Sequence, residues 1–136
     1  MSEGLAAEFP AIESRIRQGE YAEARRLLHA LCRGKIAREQ LLPVARLLRQ
    51  AYAHPRTISL LARIVRPKGR RQASESASPG ERAEYAYALG SLGAMREAFA
   101  LLESVSPKAY PEALFFQGVL NMQRSNYAPA EPFFRR

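Results

Sequence analysis

Aspartate does not occur in this chain of 136 residues, and cysteine occurs once, at Cys32. A single thiol excludes an internal disulfide. Cys32 follows Leu31 near the end of an apolar helix face and reads as a core or boundary residue, with only His29, one helical turn away, as a nearby base. Valine and isoleucine are sparse and never alternate with polar residues over a strand-length run, so the period-two signature of a strand is missing. No stretch approaches the roughly 20 apolar residues that a membrane span needs. Residues 1–9 lack the basic patch and apolar run of a signal peptide. These absences predict a soluble, cytoplasmic chain without a transmembrane segment.

What the chain has in quantity is Ala, Leu, Arg and Glu, all good helix formers. Its length fits one domain, and a compact chain of this size buries about two thirds of the surface its unfolded form exposes. The composition predicts an all-α protein.

Self-similarity organises the helices. Gly19-Glu20-Tyr21-Ala22-Glu23-Ala24 is followed four residues later by Leu28. Gly93-Ala94-Met95-Arg96-Glu97-Ala98 is followed likewise by Leu102, and Ser125-Asn126-Tyr127-Ala128-Pro129-Ala130 by Phe134. The small residue suits a tight turn between two helices. The large residue opens the second helix and packs back on the first. The Ala marks a close helix approach, and the later Leu or Phe fills the same face one turn on. Apolar-periodic segments stand upstream as first helices: Phe9, Ile12 and Ile16; Tyr85, Leu89 and Leu92; Leu114, Phe115, Val119 and Leu120.

Residues 113–134 resemble a tetratricopeptide repeat, with Leu114 at the bulky opening position, Gly118 at the small one, Tyr127 at the second-helix aromatic, and Ala130 and Phe134 after it. Asn121 and Ser125 depart from the usual aromatic and Gly. The copies at Gly19 and Gly93 match in their second halves. Ala98 and Ala130 are 32 residues apart, near the 34-residue period of the family. Ala24 and Ala98 are 74 apart, which leaves room for another copy between them. Residues 39–53 and 57–65 supply it, with the turn at His54-Pro55, Ile58 in the Ala position and Arg46 in the small-residue slot. The resemblance implies a right-handed stack of antiparallel hairpins at about 5–35, 39–67, 79–107 and 111–136, with a polar loop over 68–78. Ser78-Pro79-Gly80-Glu81 predicts a capping box with Pro at the first helical position. The final copy stops within its second helix, at Phe133-Phe134-Arg135-Arg136. That predicts the N-terminal part of a longer protein, or weak self-association through an exposed Phe133.

No catalytic constellation emerges. His29 and His54 fall in different repeats without cysteine at metal-ligand spacing, and no phosphate-binding Gly loop is present. The reading is a non-enzyme without a cofactor. Charge is the unusual feature: residues 33–71 carry eleven cations against the single acid Glu39, a net +10 within a chain of net +8, so the remainder is −2. Arg46, Arg49, Arg56, Arg63, Arg66, Arg70 and Arg71 form a candidate basic patch for an acidic protein, nucleic acid or anionic lipid. Pro55 and Pro67 prevent a continuous ridge, and Tyr52 is the block's only aromatic, so base stacking lacks a platform. The second candidate surface follows from the resemblance. First helices line the groove of such a stack, which implies a partner-binding face of Ala83, Tyr87, Phe115, Val119 and Met122, joined by Arg46 or Arg49. The leading expectation is a scaffold or chaperone-like module that holds a peptide or helix of another protein. Its rivals are a nucleic-acid-associated protein and a targeting domain fused to an enzyme or outer-membrane barrel.

Overall fold

A computed structural model describes residues 2–66 and 77–127, with side chains over 7–66 and 77–124. Arg70, Arg71, Ala130, Phe133, Phe134 and most of the 68–78 segment lie outside the described residues. The fold is all-helical, with no strand among the described residues. Among the described residues seven α-helices follow one another: α1 (Ser2–Arg17), α2 (Tyr21–Cys32), α3 (Leu41–Gln50), α4 (His54–Val65), α5 (Pro79–Ser91), α6 (Met95–Glu103) and α7 (Glu112–Tyr127). A short 3-10 turn, Arg38–Gln40, leads into α3.

Three turns set the arrangement, and they are alike residue for residue. Gly19, Tyr52 and Gly93 have φ of 76°, 61° and 105°. The N–H of each bonds the carbonyl three residues back, at 3.0 Å in all three turns. The next N–H reaches five residues back, from Glu20 to Arg15, from Ala53 to Leu48 and from Ala94 to Leu89. These paired bonds are the Schellman ending, which satisfies the last carbonyls of a helix by passing one residue through the left-handed region. Each following carbonyl then accepts the first bond of the next helix, from Ala24, Thr57 and Ala98.

The shared turn fixes a common register. Five residues past it stand Ala24, Thr57 and Ala98; nine past it, Leu28, Leu61 and Leu102; seven before it, Ile12, Ala45 and Ala86; all are buried. The middle copy therefore differs from the sequence expectation by one residue. Its turn residue is Tyr52, and His54 and Pro55 open α4, where the missing N–H of Pro costs no helical bond. Thr57, not Ile58, holds the Ala position, and Ala45, not Arg46, holds the small slot; Arg46 is exposed. Thr57 tolerates full burial because its hydroxyl donates to the Ala53 carbonyl at 3.2 Å.

The helices pack as α1 with α2, α3 with α4 and α5 with α6, and each pair also meets the next. Three apolar clusters run along the chain. The first holds Ile12, Leu28, Val44 and Leu48, the second Ala45, Leu61, Val65 and Tyr85, and the third Ala86, Leu102, Phe116 and Leu120. Gly90 marks the tightest approach: a Cβ there would lie 2.6 Å from Leu120 Cδ1 and 3.1 Å from the Ala98 Cβ. The capping box opens α5 as its sequence predicts, with Ser78 Oγ accepting from Glu81 N and Glu81 Oε1 from Ser78 N.

Candidate interaction surface

On α1, α3 and α5 the positions seven residues before each turn are buried, and the residues ten and six before it lie beside them. On α1 these are Phe9 and Glu13, and on α3 Leu42 and Arg46. Together with Pro43, Leu47 and Gln50 they line one cleft of about 370 Å³ between the two helices. Phe9 had shared its spacing with Ile12 and Ile16 and read as part of the first-helix packing stripe. It does pack there: Phe9 and Ile16 are partly buried against the first cluster, which holds Ile12, and the outer edge of Phe9 also lines the cleft.

The residues singled out on α5 and α7 divide. Ala83 is fully buried in the third cluster beside Ala113 and Phe116, so it is a core residue and offers no surface. Tyr87 is half-buried, its ring 4.7 Å from Phe116 and 5.8 Å from His54. Val119 is half-buried, while Phe115 and Met122 are 62% and 70% exposed. Leu114 and Gly118, assigned by the resemblance to packing positions, are exposed too, and the residues paired with them, Ala130 and Phe134, lie outside the described residues.

Four of the eleven cations of the basic block are ion-paired within the molecule. Arg38 pairs with Glu81, Arg46 with Glu112 at 3.0 Å, Arg49 with Glu84 at 2.9 Å and Arg66 with Glu97. Every one of these acids belongs to α5, α6 or α7. Arg56 donates to His29 Nδ1 at 3.0 Å, and Arg63 is exposed. The segment of net +10 thus meets acids of the remainder across the boundary between helix pairs. Sequence reasoning missed this because each pairing spans more than thirty residues and nothing local signals it.

Glu84 is the most deeply placed charge. Its side chain has no exposure, Arg49 Nε donates to one oxygen, and the Tyr110 hydroxyl donates to the other at 2.7 Å. Burial pushes its carboxyl above the ordinary range, opposed by Arg49 and by the Tyr110 hydrogen bond. Tyr110 is raised as well, by its own burial first and then by the charge of Glu84. The Arg49 guanidinium also lies 5.0 Å from the Phe116 ring centroid. His54 is held below its usual value by burial and by Arg49. Cys32 is pushed up by burial, which disfavours its thiolate. Among the described residues no three His, Cys or Glu side chains converge to hold a metal, and no helix is long and apolar enough to cross a membrane.

No family model matches the chain, and no curated protein or solved structure does so either.

Proposed function

We propose that this chain is a helical-repeat interaction module, a right-handed stack of tetratricopeptide-like hairpins that holds a segment of another protein on the face of its first helices. The repeat reading is supported by the three Schellman turns at Gly19, Tyr52 and Gly93 and the buried positions they share. The observation that carries the binding reading is the uneven use of apolar side chains on α7. Phe116 and Leu120 are fully buried, whereas Phe115 and Met122 stand largely in water on the same helix. Large exposed apolar side chains grouped on one face mark contact sites. The module acts by binding, and no bond is made or broken. A nucleic-acid role for residues 33–71 is less well supported, because Glu81, Glu84, Glu97 and Glu112 already engage four of the block's cations.

Random peptides displayed on phage, selected on the immobilised chain and then measured by fluorescence anisotropy, test this. Phe115→Ser and Met122→Ser should each weaken selected peptides by about tenfold, the loss expected of an interface anchor worth about 1.4 kcal/mol. Both variants should keep the parent's circular dichroism melt. Selected peptides indifferent to both substitutions would place binding elsewhere and refute the assignment.

A further inference from the structure

The cleft between α1 and α3 extends the first-helix face and, unlike Phe115 and Met122, combines apolar surface with charge. Phe9, Leu42 and Leu47 supply the apolar lining; Arg46 and Gln50 stand on the α3 side and Glu13 on the α1 side. A volume of about 370 Å³ lies at the small end of ligand pockets, which run from about 300 to 1,000 Å³. That suits side chains of a peptide. Arg46 is the informative residue. Its side chain is 47% exposed and its guanidinium lies 3.0 Å from the carboxylate of Glu112, which is 31% exposed. Exposed pairs of this kind hold weakly, so a second carboxylate brought in by an apolar anchor can exchange with Glu112 at small cost. The site already accepts a carboxylate, and it accepts one from the far end of the described chain.

We infer that this cleft is a binding subsite for an acidic amphipathic segment of a partner protein. An aliphatic or aromatic side chain enters between Phe9, Leu42 and Leu47, and a neighbouring glutamate or aspartate takes Arg46 from Glu112. The inference rests on the interaction-module reading above. Charge selects the partner: the chain is net +8, and residues 33–71, which include all of α3, are net +10. An acidic segment is steered toward that region and a basic one is repelled. Among the described residues Glu13 is the only acid lining the cleft, so the partner's carboxylate belongs on the α3 side, and Glu13 sets the orientation. Glu112 is then an internal competitor that lowers affinity for acidic segments.

Two fluorescent peptides with the same leucine spacing, one flanked by glutamates and one by lysines, are titrated against the chain and against Arg46→Glu, Arg46→Gln, Glu112→Gln and Phe115→Ser. Circular dichroism melts establish that each variant is folded. The glutamate peptide should bind about tenfold tighter than the lysine peptide, and Arg46→Glu should reverse that preference. Arg46→Gln should remove it, and Glu112→Gln should tighten the glutamate peptide by about threefold, as the competing pair is lost. Equal binding of both peptides, abolished by Phe115→Ser, overturns the subsite and leaves the interaction-module reading standing. Failure of both peptides where phage-selected peptides bind also overturns the subsite alone. A dimer of the parent chain that Arg46→Glu dissociates would give the cleft to a second copy and overturn the proposal.

Discussion

Replacing Arg49 by methionine keeps a long apolar stem and removes only the guanidinium. That group is 18% exposed and holds Glu84 at 2.9 Å, while Glu84 has no side-chain exposure. Removing one partner of a buried ion pair leaves an uncompensated charge and costs about 3–5 kcal/mol. The contact of Arg49 with the Phe116 ring adds about 0.5–1 kcal/mol. Two features pull the other way: the Tyr110 hydroxyl still donates to Glu84, and the carboxyl can escape its cost by taking a proton. The expected loss is therefore near the lower bound, about 3 kcal/mol at neutral pH, read as the change in unfolding free energy from urea titration. The pH dependence separates this from simple loss of packing. Glu84 is raised above its ordinary 4.5 in the folded state, so its stabilising contribution is complete below that value and is lost as pH rises through the folded pKa. Removing Arg49 raises it further and widens that window. The deficit of Arg49→Met against the parent should thus be smallest near pH 4.5 and grow toward neutrality. Adding Glu84→Gln should recover part of the neutral-pH loss. A loss below about 1 kcal/mol, the size of an exposed pair, or one that is equal at both pH values, would refute a buried, ionised Glu84 held by Arg49.

Two glycines on equivalent helices should respond in opposite senses. Gly90→Val forces atoms into Leu120 and Ala98 and should cost about 1–3 kcal/mol, whereas a Cβ at Gly118 meets nothing within 4 Å and Gly118→Ala should gain up to about 1 kcal/mol of helix propensity. Thermal melts followed by circular dichroism decide both; a destabilising Gly118→Ala would mean that a second helix covers α7 there. At Tyr52, with φ of 61°, the usual order of residues inverts: Tyr52→Gly should be about 1 kcal/mol more stable than Tyr52→Ala, because only glycine enters the left-handed region freely. Equal stability, or an advantage for alanine, would show that the middle turn lacks this geometry.

Tyr52 also explains where the sequence misled. The turns at Gly19 and Gly93 were legible because glycine announces a left-handed residue, and the start of α5 because Ser78, Pro79 and Glu81 announce a cap. In the middle copy a bulky residue takes the same backbone conformation, with edge-to-face ring contacts to Tyr21 at 5.0 Å and His54 at 6.3 Å. Such contacts are worth about 0.5–1.5 kcal/mol each, comparable with the strain of the backbone, about 1–3 kcal/mol. With no glycine to mark it, Pro55 drew the turn forward and the expected positions moved by one, to Ile58 and Arg46. The helical class, set by composition and period, survived that slip. The face on which Arg46 lies did not, since one residue turns a helix by about 100°.

The separation of charge along the chain acquires a structural meaning from these contacts. Arg38, Arg46, Arg49 and Arg66 come from in and around α3 and α4, and their acids from the helices that follow. Arg66–Glu97, with both side chains about half exposed, contributes little to stability. Glu81 and Glu84 behave differently because both are buried by the packing of α5 on its neighbours. If α3 slid along α5 by one residue, Glu81 and Glu84 would lose the guanidinium groups of Arg38 and Arg49 while still buried, keeping only the hydrogen bonds from Ser78 N and the Tyr110 hydroxyl. The cost of such a mismatch exceeds what the matched pairs supply. The apolar clusters alone discriminate weakly between neighbouring registers, since alanine and leucine recur on every helix. The buried acids therefore select one alignment of helix pairs more than they stabilise it. A basic middle segment between less basic neighbours is the composition that this selection requires, whether or not the remaining cations meet a partner.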